Sequence, residues 1–136
     1  MGGTLTVGSD MGGSGGLGVI REMELLQEAG IHAIDIVRIA TTSATRTLGL
    51  EGHCGRVGCA ADLAVVRGNP LDNFKVLYGR GYGFYGMYPR AELPNHGGVI
   101  WTIKEGIVFD AQALLREAEW HVQRERGRPE RVSHGR

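Results

Sequence analysis

The sequence predicts a mixed α/β chain, and three observations carry that prediction. A short β-branched run at residues 4–7 opens into a glycine-dense loop and then two stretches of helical periodicity. Two β-branched runs flank Lys104-Glu105-Gly106 as the arms of a hairpin would. A final amphipathic stretch follows Asp110.

In chain order, Thr4-Leu5-Thr6-Val7 reads as a strand broken at Gly8, and Ser9 to Gly16 reads as a loop. A helix is predicted over residues 17–29. Val19, Ile20, Met23 and Leu26 form its apolar stripe, and Gly30 takes the left-handed position after its end. A second helix over residues 33–48 places Ala33, Ile36, Val37, Ala40 and Ala44 on one face, with Gly49 following. Residues 62–66 form a short apolar strand stopped by Gly68-Asn69-Pro70, and residues 74–78 read as another extended piece. Residues 79–98, rich in glycine and tyrosine, read as a long irregular excursion. Asp110 is the expected N-cap of a closing helix with Leu114, Leu115, Ala118 and Val122 on its face. After Gln123 the chain reads as a polar, frayed end.

The 136 residues suffice for one core but not for a complete (β/α)8 barrel, which needs about 250. Fifteen basic residues balance fifteen acidic ones, so no overall field favours nucleic acid or an anionic membrane. No apolar run approaches the roughly 20 residues that span a bilayer, and no signal peptide is visible, so a cytoplasmic location is the default expectation. Cys54 and Cys59 are expected to be free thiols.

Three stretches match one family in order. Val7-Gly8-Ser9-Asp10 places an aspartate just beyond a strand. Ala40-Thr41 to Arg46-Thr47-Leu48-Gly49-Leu50 resembles the helix that follows the barrel in many amidohydrolases. Gly58 to Val66 with Asn69-Pro70-Leu71 is similar to the family's "A-D-L" strand and its turn. The hairpin from Trp101 to Phe109 resembles the family's closing strand pair. Together they cover residues 4 to about 122. Ser43, Thr45 and Cys59 depart from the pattern, all at scaffold positions.

The resemblance is to the C-terminal portion of a metal-dependent amidohydrolase of the imidazolonepropionase/prolidase-like kind. It implies that residues 1–50 hold the last strand and helix of a (β/α)8 barrel and the helix that leaves it. Residues 51–110 would form part of a small composite β-sandwich, and residues 111–136 a C-terminal helix and tail. It implies hydrolysis of C–N bonds, of amides or cyclic amides, in a small-molecule substrate, with a divalent metal, zinc above all, in the intact enzyme. Asp10 would be metal ligand and catalytic base, beside a substrate loop of Ser9, Met11, Gly12 and Gly13. A metal lowers the pKa of its bound water to about 7, and an adjacent carboxylate can take that water's proton and pass it to the leaving group. The family's His-x-His pair is missing from the sequence, and the five histidines (His32, His53, His96, His121, His134) are scattered. The chain alone is therefore expected to hold no metal tightly and to be inactive, pairing with itself or with a missing N-terminal portion. The alternatives are a non-catalytic truncated remnant or interaction module and, ranked behind these, a nucleotide-binding module using the glycine-rich loop.

Four other patterns carry less. Gly13 to Gly18 fits G-x-G-x-x-G, but it begins beyond the tight strand–helix turn that a dinucleotide fingerprint occupies, and Asp35, at about the right distance for the ribose, lies within a helical stripe. His53, Cys54 and Cys59 lack a fourth ligand for a zinc clip. Asp62 lies in the small β region, where a structural role is expected. The aromatic residues Tyr82, Phe84, Tyr85 and Tyr88 have no basic groove for stacking nucleobases.

Overall fold

The computed structural model describes residues 3–10, 15–50, 55–83 and 96–127. Within them the chain forms helix α1 (Gly15–Glu28), helix α2 (Ala33–Arg38), a π-helical turn (Ile39–Ser43) and helix α3 (Ala44–Thr47). Strand β1 (Leu63–Val66), a 3-10 turn (Phe74–Leu77), strands β2 (Val99–Lys104) and β3 (Ile107–Asp110) and helix α4 (Ala111–Arg126) follow. The class is mixed α/β, with a three-stranded antiparallel sheet ordered β1-β2-β3.

The first helix ends as its sequence requires. Gly30, at φ 93°, lets its own N–H reach Gln27 O at 2.9 Å and the Ile31 N–H reach Leu26 O at 3.1 Å. Gly49, at φ 68°, ends α3 the same way, with Leu50 N–H donating to Thr45 O at 2.8 Å. Both are Schellman closures, in which a residue without Cβ occupies the left-handed position at no steric cost.

The predicted second helix is continuous in direction but widens at Ile39–Ser43. Hydroxyls there donate back to helix carbonyls: Thr41 Oγ1 to Val37 O at 2.6 Å, and Thr47 Oγ1 to Ser43 O at 2.9 Å. Such back-bonding competes with the regular ladder and loosens it.

The core is built where α1 crosses α2 and the 3-10 turn. Met23, Ile36 and Phe74 are buried together, and Val7, Val19, Leu26, Val37 and Ala40 pack around them. The helical stripes predicted from periodicity supply most of this set.

Three expectations are corrected. Residues 4–7 form no strand, because a strand is held by ladder hydrogen bonds and no described strand lies beside them. Residues 74–78 are not extended. Asn73 Oδ1 accepts the Lys75 N–H at 3.0 Å and caps a tight turn that drives Phe74 into the helical core. Helix α4 does not bury its predicted face: Leu114 and Val122 remain about half exposed, and its partly buried residues, Ala111, Gln112 and Leu115, lie at its start. The helix also continues past Gln123 to Arg126, where Arg124 lies 5.1 Å from the Trp120 ring.

The hairpin forms as predicted. Glu105 (φ 50°) and Gly106 (φ 84°) supply the two left-handed residues of a type I′ turn, with Lys104 paired to Ile107. Asp110 caps α4 by accepting the Ala113 N–H at 2.8 Å. The long excursion is closed at its base by Tyr82 and His96, which exchange backbone hydrogen bonds of 2.9 Å. Its residues 84–95, including Phe84, Tyr85 and Tyr88, lie outside the described residues. No helix among the described residues is long and apolar enough to cross a membrane.

Candidate functional site

Asp10 ends the segment 3–10, and the position of that segment follows from Val7, three residues earlier, which packs against the Met23–Ile36–Phe74 core. At Asp10 the backbone turns into the left-handed region, φ 44°, and the side chain is exposed. A non-glycine residue with positive φ is uncommon, and aspartate is among those that tolerate it best. Ser9 is half-buried beside it, while Met11, Gly12 and Gly13 lie outside the described residues. An exposed carboxylate at a sharp backbone turn, tied to a core through Val7, is available to a ligand or proton.

The dinucleotide pattern does not survive in three dimensions. Helix α1 begins at Gly15, so four of the motif's six residues are helical. The next element is α2 rather than a strand, and the Asp35 carboxylate accepts from Arg38 Nη1 at 2.6 Å. The zinc clip fails as well, and the free-thiol expectation with it, since Cys59 is disulfide-bonded. The stretch folds back there through Cys59 N–H to Arg56 O at 3.1 Å, with Gly58 at φ 92°. His53 and Cys54 lie outside the described residues.

Asp62 has a structural role. Its Oδ2 accepts from Lys104 Nζ at 2.8 Å and its Oδ1 from the Glu105 N–H at 2.7 Å, clamping the hairpin tip to the start of β1. The hydrogen bond to Asp62 is the main reason the Lys104 ammonium titrates above its ordinary range.

One polar cluster escapes sequence reading. Arg21 Nη1 lies 3.0 Å from Glu24 Oε2 and 3.2 Å from Glu28 Oε1. The other Glu24 oxygen is buried without a hydrogen-bond partner among the described residues. Burial raises the Tyr78 phenol above its ordinary pKa, and the Glu24 charge adds to the effect. The helical spacing of Arg21, Glu24 and Glu28 was legible, but the approach of Tyr78 from 50 residues away was not.

The sequence profile described as "Amidohydrolase family" matches residues 2–108. No curated protein and no solved structure matches the chain. The profile covers most of the sequence, and the chain belongs to the amidohydrolase family, a family of hydrolases that generally use divalent metals. The donors in hand do not make a metal centre by themselves: among the described residues no three His, Cys, Asp or Glu side chains come together. Asp10 is a single carboxylate, and a catalytic zinc takes three protein ligands.

Proposed function

We propose that this chain supplies the C-terminal share of a hydrolase acting on C–N bonds of amides or cyclic amides. In this reading residues 1–50 complete a (β/α)8 barrel, about 51–110 contribute strands to a composite sandwich, and the remaining ligands come from polypeptide outside these 136 residues. The imidazolonepropionase/prolidase-like kind of amidohydrolase fits the motifs best. Bound between Asp10 and those outside ligands, a divalent ion, zinc in the simplest case, would supply activated water.

The observation that carries the proposal is the place of Asp10. It follows a segment tied to the helical core through Val7 and precedes the glycine run that leads into α1. In barrels of this kind the catalytic groups sit at the strand ends and the following loops wall the substrate; residues 4–7, which pair with no described strand here, would become that strand only beside the outside polypeptide. Ser9, Met11, Gly12 and Gly13 would form that wall. The role derived for this chain is proton handling: the Asp10 carboxylate accepts a proton from the attacking water and returns it to the leaving nitrogen. By itself the chain is inactive.

The test is complementation. The chain is co-expressed with a barrel portion that carries a His-x-His pair, and hydrolysis of a cyclic amide is measured. Turnover that falls by at least about a hundredfold in Asp10→Asn supports the role. Turnover indifferent to Asp10→Asn removes it.

A further inference from the structure

A cavity of about 400 Å³ opens between the end of β1, the Gly97-Gly98 turn and α4, and three arginines, Arg67, Arg80 and Arg116, line it. They reach it from three separate segments held together by hydrogen bonds. Arg67 donates its backbone N–H to Gly98 O at 2.9 Å. Gln112 Nε2 donates to Gly79 O at 2.8 Å and to Val99 O at 2.7 Å, fixing the first turn of α4 against the residue before Arg80. Arg116 stands one helical turn beyond Gln112 on the same face.

Among the described residues the lining carries one carboxylate, Glu119, and it pairs with Arg80. Among the described lining residues three guanidinium groups face one carboxylate, an excess of two positive charges. Guanidinium groups match the paired oxygens of phosphoryl and carboxylate groups.

We propose that this cavity is a binding site for a small divalent oxyanion, a phosphate monoester or a dicarboxylate. Arg67 and Arg116 bind it directly, and Arg80 joins them when Glu119 gives it up. The site is independent of Asp10 and of the reading of the chain as part of a hydrolase.

The test is calorimetric titration of the full chain with inorganic phosphate and, separately, malonate, with the fold of each variant checked by circular dichroism. Saturable binding is expected, weakened by about tenfold or more in Arg67→Ala and in Arg116→Ala. Arg124→Ala, beside Trp120 on α4, serves as the control and leaves it unchanged. Glu119→Gln frees Arg80 and tightens binding several-fold, a gain that misfolding cannot imitate. Preference for phosphate assigns the phosphoryl class, and preference for malonate the carboxylate class. Binding of neither anion, an equal loss in Arg124→Ala, or weaker binding in Glu119→Gln overturns the proposal.

Discussion

Lys104 reaches back across the sheet to place its ammonium 2.8 Å from Asp62 Oδ2, while the Glu105 N–H holds the other oxygen of the same carboxylate at 2.7 Å. One side chain thus ties the start of β1 to the hairpin tip. Asp62→Ala removes the acceptor of a backbone N–H, and the loss is expected to be about 1 kcal/mol. The exposed ion pair adds little to that. Urea unfolding measures it, and an unchanged midpoint would show that the clamp is idle.

Glu105 occupies a left-handed position that asparagine adopts more readily. Glu105→Asn would create the Asn-Gly pair that type I′ turns favour and should stabilise the chain by about 0.5 kcal/mol. A rise in thermal midpoint checks it.

Gly97 is held to its size by Val76. A Cβ at Gly97 would lie 2.6 Å from Val76 Cα, at a residue whose φ is already 82°. Backbone must move to admit it, so Gly97→Ala should cost at least about 2 kcal/mol. Gly106→Ala meets nothing within 4 Å and isolates the cost of positive φ alone. Equal losses in the two variants would mean that the Val76 contact does not matter.

Tyr78 gives the chain a response to alkali. Burial favours its neutral form, so its folded pKa lies above the unfolded value of about 10. The associated stability is fully present below that pH and is lost as pH rises through the folded pKa. Tyr78→Phe should flatten the decline of the thermal midpoint in that window, and a decline of undiminished slope would assign it to other groups.

What was legible in the sequence was local. Gly30 and Gly49 mark helix ends because their closures use only neighbouring carbonyls. The hairpin and the Asp110 cap are similarly short-range. Phe74 misled because four apolar residues fit a strand as well as a turn, and burial in the α1–α2 core decides between them. The α4 face misled because periodicity predicts an apolar stripe and says nothing about what covers it. Asp10 was legible as a candidate through its place in a motif. Its left-handed backbone and the anchoring of Val7 are three-dimensional facts, as is the convergence of Arg67, Arg80 and Arg116 from distant segments.

The central claim is that Asp10 is one donor of a centre that other polypeptide must complete. Zinc bound by the purified chain, measured against a competing chelator together with cyclic amide hydrolysis, tests it most directly. The account predicts substoichiometric zinc and no turnover. One tightly held zinc per chain with hydrolysis would contradict it.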